Sequence, residues 1–401
     1  MREYLLVFFV AAAVTYLLTV VAREIALRTG AVARVRDRDV HDEAIPYGGG
    51  LAMLGGLVAA YGVARELPFI AGVGGPFLLR DAGVVVVAGM VICGVGVLDD
   101  IFELDALSKL GGQVLATGIL IGFGIRFYYF PSSDGFQFAL DPAQGALLTG
   151  FIVVATVNAV NFIDGLDGLA AGVVGVGALS FFLFCYQLTS LNGTPRATTA
   201  AFLSIALAGA CAGFLPHNFN PARLFMGDSG SMLIGLVLSA SAVTLSGQFA
   251  VSDISQGGSG GRASLLPTLL PLLMPPLAIL VVPLLDLVLA VVRRTRAGRS
   301  PFAPDKQHLH HRLLEIGHSQ RRAALIMWLW AALIGFGTTV ASLYRGPWVW
   351  AGIAAAATAT AVLTFVLPVL HRPAALGGDL GGEGEAEPGP EASETSLDRS
   401  S

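Results

Sequence analysis

Five aspartates and two asparagines stand at the ends of long apolar runs. Asp99-Asp100 closes Gly-Val-Leu-Asp99-Asp100. Asn158, Asn161, Asp164 and Asp167 share the stretch Asn158-Ala-Val-Asn161-Phe-Ile-Asp164-Gly-Leu-Asp167-Gly, and Asp228 lies in Met226-Gly-Asp228-Ser-Gly-Ser. A fourth group is basic, running from Arg293 to Arg299 and on through Asp305-Lys306-Gln-His308-Leu-His310-His311-Arg312. Carboxylates brought together repel one another and any anionic substrate, a conflict that a divalent cation resolves. Mg²⁺ takes oxygen ligands and is commonly held by one or two carboxylates plus substrate phosphates. Arginine forks and histidines bind phosphate oxygens. Acids, cation and basic loop together describe phosphoryl transfer from a diphosphate, where catalysis is mainly positioning and charge neutralisation. Local spacing agrees. Asn158 and Asn161 are three apart and share one helical face. Gly165 and Gly168 permit a tight turn close to a phosphate. The helix expected just after Gly227-Asp228-Ser-Gly230 has an N-terminus suited to an anion. His308, His310 and His311 lack the i, i+4 spacing of a zinc helix.

The elements that must carry these residues are membrane spans. The 401 residues are 54% hydrophobic and 13% charged, against about 25% charged for a soluble domain. Apolar runs long enough to cross ~30 Å of hydrocarbon recur along the chain. Eleven candidate spans fall at about 4–22, 48–64, 83–98, 110–125, 143–160, 168–187, 198–215, 230–250, 267–292, 323–343 and 347–370, giving an all-α integral membrane protein. Alternating spans place 17 Lys and Arg residues on one side and 7 on the other. The richer side is cytoplasmic, so the N-terminus is expected outside and the C-terminus inside. All four polar groups then face the cytoplasm, which a scatter of helix caps does not explain. Residues 1–371 form the membrane domain. Residues 372–401, acidic and nearly devoid of apolar side chains, are expected to be a disordered cytoplasmic tail. Cys93, Cys185 and Cys211 lie within apolar runs and read as small core residues. The net charge of −4 carries no nucleic-acid signature. A transporter would need ionisable residues through the span centres, and the acids instead gather at one side.

Together, Gly-Val-Leu-Asp99-Asp100, Asn158-x-x-Asn161-x-x-Asp164-Gly-x-Asp167-Gly, Gly227-Asp228-Ser-Gly and Ser300-Pro-Phe-x-Pro-Asp-Lys-x-His308-Leu-His310-His311-Arg312 resemble the polyprenyl-phosphate N-acetylhexosamine-1-phosphate transferase superfamily over roughly residues 30–320. The resemblance implies a cytoplasmic UDP-N-acetylhexosamine donor, a polyprenyl phosphate acceptor in membrane lipid, Mg²⁺ (or Mn²⁺ in its place) and release of UMP, with a homodimer open to it as an assembly. It implies Asp228 and Asn161 as metal ligands and Asp99 as the group that deprotonates or orients the lipid phosphate. Asp100 would assist; Asp164 and Asp167 would contact the nucleotide or orient the metal shell. His308, His310, His311 and Arg312, with Asn158, would bind the donor. Lys109 either holds the lipid phosphate or snorkels to the interface. The His-Leu-His-His-Arg loop resembles the N-acetylglucosamine-1-phosphate branch; the alternative is the phospho-N-acetylmuramyl-pentapeptide branch. The first loop departs from its relatives: Arg38-Asp39-Val40-His41 and Pro46-Tyr47-Gly48-Gly49-Gly50 lack two expected cations.

The topology has a direct check. With the three native cysteines removed, single cysteines at Glu103 and Ala303 should label only from the cytoplasm. Those at Asp134 and Gln256 should label only from outside. Labelling of 103 and 303 from opposite faces would break the single-site arrangement.

Overall fold

The computed structural model describes residues 1–30, 45–73, 75–131, 137–192, 196–246, 292, 295–296, 309–344 and 346–366. The helices are α1 (Arg2–Thr29), α2 (Gly49–Ala64), α3 (Pro68–Val73), α4 (Gly75–Phe102), α5 (Ala106–Gly122), α6 (Pro142–Ile163), α7 (Leu169–Asn192), α8 (Arg196–Asn218), α9 (Gly227–Ser246), α10 (Leu309–Ile316), α11 (Gln320–Leu343) and α12 (Pro347–Phe365). Eight are long and apolar enough to cross a membrane, and α2 and α5 are shorter apolar helices. These ten coincide with ten of the expected spans; the one at 267–292 lies, but for Val292, outside the described residues, as do the tail and the Arg34–His41 stretch. The chain is a helical membrane protein, and among the described residues a two-stranded ribbon departs from an all-α reading. Strands β1 (Tyr129–Pro131) and β2 (Gln137–Ala139) pair antiparallel, with Phe130 opposite Phe138.

Local chemistry sets several helix ends. Asp141 and Gln144 form a capping box ahead of α6, with Pro142 in its first turn, satisfying amides that lack intrahelical partners. Asp105 caps α5 through the Ser108 amide, and Ser319 caps α11 through the Arg322 amide. Gly30, at φ 75°, closes α1 in the left-handed conformation glycine tolerates. Two ends differ from expectation. The helix expected from 83 already runs from Gly75 and continues through Asp99 and Asp100, which occupy its last turn. α9 begins at Gly227, so Asp228 stands within its first turn.

α9 is the axis of the bundle. Every residue from Ser229 to Leu245 is buried, with α2, α4, α6, α7 and α8 around it. Its hydroxyls turn back to its own backbone: Ser239 to Gly235, Ser241 to Leu238 and Thr244 to Ser241. The chain ends converge as the alternation of spans requires. The C-terminal ends of α4, α6 and α8 meet the N-terminal ends of α5, α9 and α11 at one end of the bundle. At the other end, Glu3 accepts from the Phe69 and Ile70 amides.

Close backbone approach depends on glycine. A Cβ at Gly96 in α4 would lie 2.3 Å from Ser229 Cα, and one at Gly50 in α2 would lie 2.3 Å from the Gly230 nitrogen. Small residues that let helices touch are a general device of membrane bundles. Gly94, one turn-face away, has open space around it. Gly96→Ala should therefore destabilise the detergent-solubilised protein by roughly 1–3 kcal/mol, the usual cost of overpacking, whereas Gly94→Ala should not. Equal melting temperatures for both variants would show that α4 and α9 can separate freely.

Candidate active site

At the converging end, the Lys109 ammonium lies between two carboxylates, 2.5 Å from Asp99 Oδ2 and 2.7 Å from Asp228 Oδ2. It does not snorkel. Asn161 Nδ2 donates to Asp228 Oδ1 and to Ser231 Oγ, both at 2.9 Å. Three helices thus meet on Asp228. Asp100 turns the other way: its carboxylate accepts from the backbone amides of Asp228 at 2.8 Å and Ser229 at 3.3 Å. The α9 N-terminus does favour an anion, as expected, but that anion is the chain's own Asp100. Gly227, at φ 69°, makes room for it, since a Cβ there would meet the Asp100 carboxylate at 2.5 Å. The first-loop glycines belong to the same construction. Gly49 and Gly50 amides donate to the Phe225 and Met226 carbonyls, and Phe225 N donates to Pro46 O.

Asp167 is buried and accepts from Asn220 Nδ2 and from the Ala222 amide, each at 3.0 Å. It pins the turn between α8 and α9, a placement that favours positioning over the catalytic role expected of it. Asn218 tightens the same turn, accepting from Gly168 N and donating to Leu224 O. Asp164, at the end of α6, makes no side-chain hydrogen bond among the described residues. Its carboxyl is pushed up to about 8, first by burial and then by repulsion from Asp228, Asp100 and Asp167. Asn158 lies a turn below Asn161, where Nδ2 donates to Gln113 Oε1 at 2.7 Å and to Val154 O at 2.8 Å. It ties α6 to α5 one turn below Asn161.

The oxygen set suits a divalent cation. Asp99 Oδ1 is buried with no hydrogen-bond partner, and Asn161 Oδ1 is unused among the described residues. An ammonium already occupies the space between two carboxylates, so the pair attracts positive charge. Among the described residues, no three His, Cys, Asp or Glu side chains form a ready-made metal group. The carboxylate oxygens of Asp99 and Asp228 and the amide oxygen of Asn161 are donors of the type a hard cation takes, with water and substrate phosphates completing its shell.

Comparison with known proteins decides the family. The model for glycosyl transferase family 4 matches residues 82–246, which hold all the site's acids. The chain is 45% identical over 383 residues to decaprenyl-phosphate N-acetylglucosaminephosphotransferase of Mycobacterium tuberculosis, covering 93% of this chain and 90% of that protein. The Mycobacterium leprae protein of that name is 42% identical, with 93% and 92% covered. Undecaprenyl-phosphate alpha-N-acetylglucosaminyl 1-phosphate transferase of Escherichia coli is 29% identical, with 78% and 77% covered. The chain belongs to the polyprenyl-phosphate N-acetylglucosamine-1-phosphate transferase family.

Helix α10, which carries His310, His311 and Arg312, shares an apolar cluster with the turn that bears Asp164 and Asp167. Leu313 of α10 packs in one buried cluster with Ile163, Leu166 and Leu169, which frame the Asp164–Asp167 turn. Arg312 is exposed, and His308 lies outside the described residues. His310 and His311 fall within α10. Sequence reasoning passed over Gln113, Asn218 and Asn220. Asn220-Pro221 is a turn signal, but nothing in the sequence pairs its side chain with Asp167.

Asp164 supplies a pH test. A carboxyl raised in the folded state contributes stability that is full below its ordinary value of 3.8 and is lost as pH rises through about 8. Asp164→Asn has no such loss. In chelator-treated protein, the variant's melting temperature should gain on wild type from pH 5 to 8 and level off above. Added Mg²⁺ should narrow the gap. A difference independent of pH would place Asp164 in solvent, away from the other acids.

Proposed function

We propose that the protein transfers N-acetylglucosamine-1-phosphate from UDP-N-acetylglucosamine to a polyprenyl phosphate at the cytoplasmic face of the cell membrane, releasing UMP. The observation that carries this reading is Lys109 held between Asp99 and Asp228, in a chain whose relatives are named for that acceptor and that sugar. Lys109 offers the cation that holds the lipid phosphate. Asp99, buried beside it, orients that phosphate and takes its remaining proton where one is present. An oxygen of the lipid phosphate attacks the sugar-bearing phosphorus. The new bond completes a lipid diphosphate sugar, the bond to the uridine-bearing phosphate breaks, and its electron pair leaves on UMP. Mg²⁺, or Mn²⁺ in its place, would be held by Asp228 and Asn161 and would supply positive charge to the diphosphate oxygens. Asp100 and Asp167 act through the backbone, fixing α9 and the turn before it. The carboxylate-lined end of the bundle faces the cytoplasm in this reading because Lys and Arg gather on that side.

The test is purified protein with decaprenyl or undecaprenyl phosphate and a panel of UDP-sugars, with UMP release as readout. UDP-N-acetylglucosamine should be turned over and UDP-N-acetylmuramyl-pentapeptide rejected; turnover of the muramyl donor alone would move the chain to the other branch. Asp228→Asn should lose ~10²–10³-fold in turnover, the range for removing one electrostatic contact at a transition state, while remaining folded.

A further inference from the structure

Arg321 is one of the cations on the arginine-rich side of the chain. In the structure its Nε donates to the Asn220 carbonyl oxygen at 2.7 Å. That contact uses the inner nitrogen of the guanidinium and leaves the outer Nη1–Nη2 pair as a fork. The side chain is exposed, and no carboxylate pairs with it among the described residues. The fork is built into the site's own framework. Asn220 Nδ2 bonds Asp167 Oδ2 at 3.0 Å and Gln320 Oε1 at 2.6 Å. Phe219 packs on Trp328 of α11, with ring centroids 5.6 Å apart, and Trp328 Nε1 bonds Gly168 O at 3.2 Å. The start of α11 is therefore clamped to the turn that Asp167 holds, and Asp167 is within electrostatic reach of Asp164.

A guanidinium anchored through one nitrogen has spent its rotational freedom before any ligand arrives, and its outer pair matches two phosphate oxygens. Arg321 and Arg322 also occupy the first turn of α11, which holds no acid. Cations there oppose the helix dipole unless an anion is shared between them. We infer that Arg321 is a donor-binding residue, presenting its fork to the diphosphate of the nucleoside-diphosphate sugar from the turn that Asp167 holds. The inference rests on the transferase reading and assigns the two phosphate substrates to two cations: Lys109 for the lipid phosphate and Arg321 for the donor.

Binding of UDP-N-acetylglucosamine, measured by calorimetry without acceptor, tests the inference apart from turnover. Arg321→Ala should weaken donor binding about tenfold or more. Arg321→Lys should not restore it, because an ammonium cannot both anchor to Asn220 and present a fork. Arg28→Ala, which removes a cation already paired with Glu24, should bind like wild type. In turnover, Arg321→Ala should raise the donor KM and leave the polyprenyl-phosphate KM unchanged. Unchanged donor affinity in Arg321→Ala, with only a lowered melting temperature, would reduce Arg321 to a structural clamp and overturn the inference. Failure of the wild type to bind any UDP-sugar would instead overturn the transferase reading itself.

Discussion

The site depends on where one carboxylate is spent. Asp100 gives both its oxygens to the first amides of α9, so the helix that carries Asp228 is held by the helix that carries Asp99. Adjacent aspartates on the last turn of α4 point to different tasks. One satisfies amides that a helix N-terminus leaves without partners; the other meets Lys109 and keeps an unpartnered oxygen in a buried setting. The glycines at 50, 96 and 227 are the steric side of the same constraint, because the Asp100 bonds form only if the backbones nearly touch.

This arrangement separates positioning acids from chemical ones. Asp100 and Asp167 both accept backbone amides and hold, respectively, the start of α9 and the turn leading into it. Asp99 and Asp228 keep oxygens directed at the Lys109 ammonium, and Asp164 stands within electrostatic reach of the other acids. Five acids can thus converge without five free negative charges. Two accept backbone amides, two share an ammonium, and burial pushes Asp164 toward its protonated form.

Much of this was legible in the sequence for a physical reason. Span length is set by bilayer thickness and span direction by alternation, so residues far apart could be assigned to one end without knowing any contact. Asp99, Asn161 and Asp228 were found that way and do meet. The division of labour was not legible. Asp100 and Asp228 are 128 positions apart, and no periodicity records that one caps the other. Lys109 at the start of a span reads equally well as a snorkelling residue, and only the position of Asp99 decides. Asn158 shares a face with Asn161, as its spacing demanded, but the partner waiting one turn lower is Gln113. The Pro46–Gly50 stretch, unremarkable for lacking cations, matters through its backbone: its carbonyl and amides extend the Phe225–Met226 segment.

The burial of α9 has a consequence for how the protein is made. Among the described helices long enough to span, it is the least apolar and the most enclosed, with serine and threonine hydroxyls along its length. Surrounding lipid would offer those hydroxyls no partners beyond the helix's own carbonyls. Among the described residues, the helices packed most closely on it, α2, α4, α6, α7 and α8, precede it in the chain. During synthesis from the N-terminus, the walls of its cradle therefore leave the ribosome before α9 does. The helix can enter a prepared cleft of protein instead of partitioning alone into the bilayer, and the completion of that cleft and the assembly of the catalytic carboxylates become a single event in biogenesis.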